Sequence, residues 1–134
     1  MKLRTSAKSA AAQALLADLA SGSGASPIIE LYTGTIPASL GATITDTLLA
    51  VFELSGTIGT ESNGVITFGA ITGDNSTDAA GLAGWARMLD GDSLESAYLT
   101  AGGPGSGADL IITDPDIEAN VPMTVSLASI SMGG

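Results

Sequence analysis

The chain contains no cysteine and no histidine. Their absence removes disulfides, thiolate chemistry, the usual zinc sites and the commonest general base. It says little about compartment, only that no oxidising environment is exploited. Positive charge is nearly missing as well: 4 basic residues stand against 14 acidic ones, and three of the four (Lys2, Arg4, Lys8) fall in the first eight positions. Everything after residue 8 therefore sets 14 acids against Arg87 alone, a formal charge of −13. A body of that sign repels phosphate backbones, so no nucleic-acid partner is expected. The acidity serves solubility and limits self-association, or it steers the protein onto a basic lattice, or it holds cations. No apolar run approaches the roughly 20 residues of a membrane span, so no membrane partner is expected. The basic, Ala/Leu-rich start has the outline of a secretory signal. Gln13 and Asp18 interrupt it and alanine dominates it, so no cleaved leader is expected.

Aromatic residues make up only 4% of the sequence against an apolar fraction of 45%. The core must then be aliphatic, built around Trp85, Phe52, Phe68, Tyr32 and Tyr98. A length of 134 residues fits one domain, in which folding buries roughly 65–70% of the surface that the unfolded chain exposes. The 18 glycines are well above the usual share of about 7%. Without a collagen period, and with positive mean hydropathy, they indicate many turns between short strands rather than disorder.

Residues 5–20, TSAKSAAAQALLADLA, form the one convincing helix, with Thr5 or Ser6 as cap and Leu15, Leu16 and Leu19 on one face. SGSGASP (21–27) ends it, through Gly22 or Gly24 as C-cap and Pro27. The leucine stripe is narrow and must lean on something larger, its own sheet or a neighbouring subunit. Strands are expected at 28–34, at 47–56 (apolar on both faces), at 64–71 after the hairpin signal Asn63-Gly64, and at 82–90 around Trp85. Further strands are expected at 96–102 and 108–113, joined by GGPGSG (102–107) as a hairpin turn, and at 123–132 with a phase break at Ile130. DPDIEANVP (114–122) reads as a turn and crossing. About seven strands with turn chemistry between them is the pattern of a β-sandwich or jelly roll. The expected architecture is mainly β: a single β-sandwich or jelly-roll-like domain at 28–134, preceded by an N-terminal helical arm and linker at 1–27. Trp85, Phe52, Val125 and Leu127 should be buried together.

Chemistry is sparse. Carboxylates cluster at turns: Asp74 with Asp78, Asp90 and Asp92 with Glu95, Asp114 and Asp116 with Glu118. Paired acids serve glycoside hydrolysis when they flank a sugar cleft, but the aromatic platforms of such clefts are lacking. A nucleophile with an activating base cannot be assembled without His, Cys or a suitable Lys, so no catalytic residues are assigned. Asp90-Gly91-Asp92 with Glu95 has the hard oxygens of part of a calcium loop. It lacks the full ligand register, and tight turns select the same residues through Asx bonds, so no metal or other cofactor is assigned. GGPGSG lacks the Gly-Lys-Ser/Thr of a phosphate loop. Trp85 and Arg87 share a strand face, which permits a cation–π contact only through a neighbouring strand.

The segments IIELYTGTIPAS (28–39), TLLAVFELSG (47–56), AAGLAGWARMLDGD (79–92) and GSGADLIITDPDIEANVPMTVSLASISM (105–132), behind the Ala-rich helix, together resemble the small structural proteins encoded among the virion genes of tailed bacteriophages. The resemblance covers nearly the whole chain from residue 5. It implies a non-enzymatic virion protein: a capsid decoration or cement protein bound to the major capsid lattice, or else a neck, tail-tube or tail-associated component. It implies no catalytic residues. A secreted binding module is the more remote alternative. The expected partners are the major capsid protein or other virion subunits, with homo-oligomerisation. The candidate partner-binding residues are Lys2, Arg4 and Lys8, opposite in charge to the body, and the Leu15, Leu16, Leu19 face. SGSGAS would give that helix the reach to dock on a neighbour.

Overall fold

The structure is a computed structural model that describes residues 2–22, 26–54 and 58–131, the side chains of 126–128 and 130 excepted. Helix α1 spans Thr5–Leu19, where alanine makes helix formation least costly. Thr5 and Ser6 lie inside its first turn rather than capping it. The N-cap position is Arg4, whose side chain makes no capping bond; its carbonyl accepts the N–H groups of Ala7 and Lys8. The helix closes without a glycine cap. The Ser21 hydroxyl and N–H both donate to the Asp18 carbonyl, and Gly24 lies outside the described residues. Ala12 and Leu19 are fully buried, with Leu15 and Leu16 packed half-buried on the same stripe. These positions, spaced 3, 1 and 3 apart, form one helical face.

The remainder is β: β1 (Ile28–Thr33), β2 (Leu48–Leu54), β3 (Gly59–Ser62), β4 (Val65–Phe68), β5 (Ile71–Thr72), β6 (Gly81–Leu89), β7 (Glu95–Gly102), β8 (Leu110–Ile112), β9 (Asp116–Ile117) and β10 (Val125–Ser131). They join in one ten-stranded sheet in the order β3-β4-β10-β8-β7-β6-β1-β2-β5, with β9 on the free end of β6. The sheet is open and curled, a β-sandwich-like domain with an N-terminal helix. Its curl follows from connectivity. β4 lies second from one edge of the order and β5 forms the other edge, yet only Gly69 and Ala70 separate them. Three Cα steps cover at most about 11 Å, so the two ends of the sheet must approach each other. The run 64–71 is therefore two strands at opposite ends of the sheet rather than one.

Asn63 and Gly64 form the expected hairpin turn, both with positive φ (52° and 84°), and β3 is the partner strand that the sequence reading missed. Gly64 also has a second role: a Cβ there would lie 2.3 Å from Lys8 Cβ, so the helix rests directly on this turn. GGPGSG is not a hairpin turn. β7 and β8 run parallel, Ala101 beside Leu110 and Gly102 beside Ile111. The loop between them leaves the sheet and returns alongside, with positive φ at Gly105 and Gly107. Asp109 ties its exit to Thr100: the Thr100 N–H and hydroxyl both donate to the Asp109 carboxylate at 3.2 Å. The irregularity in β10 falls between Val125 and Leu127, not at Ile130.

The core lies inside the curl. Ile29, Phe52 and Met88 share one row of the β2–β1–β6 ladder, and Leu31, Ala50 and Ala86 the next. Ile66 of β4, Leu110 and Ile112 of β8, and Leu19 of α1 join the same buried cluster. Trp85 is fully buried but not with Phe52. It alternates with Met88 along β6 and stands opposite Tyr32, which places it on the other face of the sheet. Val125 is half-buried against the core, and the Leu127 side chain lies outside the described residues.

Candidate functional site

On the outer face of β1, β6 and β7, register gathers the residues that the inner face excludes. Trp85 stacks on Tyr32 with ring centroids 4.8 Å apart and meets Tyr98 edge-on at 5.0 Å. Its indole N–H donates to Asp46 Oδ2 at 2.9 Å. Arg87 donates from Nε (2.9 Å) and Nη2 (2.5 Å) to Glu30 Oε1, and from Nη1 to Glu95 Oε2 at 3.2 Å. Its guanidinium also lies 5.9 Å from the Tyr32 ring centroid, the contact through a neighbouring strand that alternation allows. The loop between β1 and β2 covers this cluster. Its ends are pinned by the Thr33 N–H to the Thr47 carbonyl and the Thr47 N–H to Thr33 Oγ1. Its tip is held by the Gly41 N–H, which donates to Glu95 Oε1 at 2.8 Å. The short separation of its ends makes it an Ω-loop.

The cluster holds shape and offers no reactive group. Burial, then the neighbouring Glu30, push the Tyr32 hydroxyl above its ordinary pKa. The hydrogen bond to Glu95 does the same for Tyr98, so both stay neutral and un-nucleophilic. The Tyr98 bond in turn holds the Glu95 carboxyl below the usual range. Burial disfavours the Arg87 charge, but the bonds to Glu30 and Glu95 outweigh it, and the guanidinium stays charged and occupied.

The acidic turns are braces. Asp90, nearly buried, accepts the N–H groups of Asp92 (2.9 Å) and Leu94 (3.0 Å). Glu95 faces Arg87 instead, so the three carboxylates weighed as a calcium site do not converge. Asp74 accepts the Val51 and Ser76 N–H groups, and Asp114 that of Asp116. Among the described residues no three acidic side chains are grouped to hold a metal ion, and no helix is long and apolar enough to cross a membrane.

The six residues expected to bind partners divide. Lys2 and Arg4 are exposed, and neither forms an ion pair among the described residues. Lys8 is half-buried on the Gly64 turn. Leu19 is fully buried and Leu15 and Leu16 pack on the core of their own chain, so the leucine face is not a free docking face. The helix also bonds to the sheet it covers: Gln13 Nε2 donates to Glu61 at 3.4 Å. The Gly64 N–H of the same hairpin donates to Glu61 at 2.9 Å, and this bond, with those from Ser9 and Gln13, lowers the Glu61 pKa. Of the arm expected at 1–27, the helix lies against the sheet; residues 23–25 of the linker are outside the described ones.

Two surface features were not read from the sequence. The first is a groove of about 440 Å³ in which the exposed Asp114, Asp116 and Glu118 surround the buried Ile117 and Met123. Thr77 fixes its wall, donating to the Glu118 carbonyl and accepting the Val121 N–H at 3.2 Å. The alternation of acid and apolar residues in Asp116-Ile117-Glu118 was the available signal. The second is an exposed apolar pair, Leu40 (52% exposed) and Leu94 (64%). Each is the chain neighbour of one partner in the Gly41–Glu95 bond. No family model, curated protein or solved structure significantly matches the chain.

Proposed function

We propose that this chain is a non-catalytic structural subunit of a tailed-phage virion, acting on the capsid exterior as a decoration or cement protein bound to the major capsid lattice. The segments that resemble phage structural proteins supply the class. The observation that carries the reading is how the polar residues are used: Asp46 holds the Trp85 ring, Asp74, Asp90, Asp109 and Asp114 brace backbone, and Arg87 ties Glu30 to Glu95 beside the Tyr32 ring. What remains exposed is an acidic surface that carries the apolar pair Leu40 and Leu94 at the Ω-loop tip, with Leu82 and Val65 exposed elsewhere. A stiff acidic shell stays soluble at high local concentration, and exposed leucines on a braced loop suit a surface that a lattice covers.

The test is binding of the purified chain to expanded capsids that lack it. Saturable binding is expected, abolished by Leu40→Asp with Leu94→Asp while the circular dichroism of the free chain stays unchanged. If the double variant binds as well as the parent, this face is not the seat. If the parent fails to bind at all, the decoration reading is wrong.

A further inference from the structure

We infer that Lys2-Leu3-Arg4 of one copy docks in the acidic groove of a second copy, so that the groove is the site through which copies of this chain join. The inference does not rest on the virion reading.

The two surfaces are complementary in charge. Lys2 and Arg4 are exposed just before the helix, Arg4 with extended backbone (φ −68°, ψ 157°). The groove presents the exposed Asp116 and Glu118 on either side of the buried Ile117. The carboxylates of Asp116 and Glu118 accept no hydrogen bond among the described residues, unlike the bracing acids. Leu82, 64% exposed and paired in register with Asp116, extends the apolar surface beside them.

The cations do not serve their own helix. Arg4 stands at the N-cap, where the helix dipole opposes positive charge, and it makes no side-chain cap.

Within one chain the segment starts from the far end of β10. Lys8 rests on the Gly64 turn, next to Val65, which pairs with Ser131. The groove is lined by Met123 and Thr124, immediately before β10 begins at Val125, about 20 Å away along the strand. A second copy can bring its segment to the groove directly, and the same contact repeated closes either a reciprocal pair or a head-to-tail ring.

Charge exchange tests this with the whole chain. The parent should show a mass above the monomer that rises with concentration in light scattering or sedimentation. The variants Lys2→Glu with Arg4→Glu, and Asp116→Lys with Glu118→Lys, should each be monomeric. An equimolar mixture of the two should associate again, because each supplies the charge that the other has lost, and that recovery also shows that both are folded. A mass of two copies in the parent identifies the reciprocal pair and a larger closed mass the ring; either supports the inference. A parent that is monomeric at every concentration overturns it. So does association that survives in either variant, or a mixture that stays monomeric.

Discussion

Thr77, 1% exposed, shows how single side chains hold this molecule together. Its hydroxyl joins the Glu118 carbonyl to the Val121 N–H, and its backbone bonds to Val121 and Asn120. Thr77→Val keeps the volume and leaves two part-buried backbone groups without this partner, which costs about 1–3 kcal/mol. Chemical denaturation should show a loss in that range, and a loss below a few tenths of a kcal/mol would mean that water replaces the hydroxyl. Trp85 holds the outer face in the same way. Its truncation to Ala should destabilise by roughly 3–5 kcal/mol, since stacking on Tyr32 and the bond to Asp46 are lost with the buried ring. Acid sensitivity follows from Glu95. Its carboxyl is held below the ordinary value in the fold, so the unfolded chain takes up its proton first as pH falls. The stability that it contributes is fully present above the usual glutamate range, near pH 4.3, and is lost as pH drops through the lower folded value. Melting followed from pH 6 downward should therefore show a smaller decline for Glu95→Gln than for the parent; equal slopes would show that the Tyr98 and Gly41 bonds do not favour the charged form.

At the scale of elements, the helix is held by packing against its own sheet, and Arg4 at its N-cap makes no side-chain cap. Arg4→Asp places a capping carboxylate where the dipole favours it, and should raise stability by about 0.5–1 kcal/mol. A decrease would mean that Arg4 has a partner within the chain. The helix, the Asn63-Gly64 hairpin and the strands around Phe52 and Trp85 were legible because alanine content, turn chemistry and apolar runs act locally. The pairing of β7 with β8 was not legible. A glycine-rich link between two apolar strands reads as a hairpin, and only the tie between Asp109 and Thr100 turns it into a parallel return. β3 was missed because Gly59–Ser62 is an edge strand with no fully buried residue to mark it. The placement of Trp85 away from Phe52 was hidden for a different reason: both are buried, and which face each occupies depends on register with β1. The leucine stripe was read correctly as a face needing cover, but its cover is the chain's own core. Close approach adds a constraint that pattern cannot show. A Cβ at Gly84 would lie 1.8 Å from the Gly34 carbonyl oxygen, so Gly84→Ala should force β1 and β6 apart at the base of the Ω-loop and lower the melting temperature.

The whole molecule carries charge of two signs in separate places: exposed cations at the helix start, and exposed acids around the groove beyond the far end of β10. With Arg87 locked between Glu30 and Glu95, Asp116 and Glu118 of the groove have no cation partner among the described residues. Copies joined arm to groove would relieve both ends at once. The joint should weaken between 0.1 and 1 M salt as the screening length falls from about 10 to about 3 Å. An assembled acidic shell with apolar Ω-loop tips is what a capsid exterior would present or a lattice would cover. That is the central claim, and the number of copies per particle tests it most directly, measured by quantitative mass spectrometry of purified virions against the major capsid protein. A fixed ratio of the same order as the capsid protein is the expected result. Absence from the particle would contradict the virion assignment outright, and a total near 6 or 12 copies would contradict decoration and place the chain in a closed ring at the neck or tail.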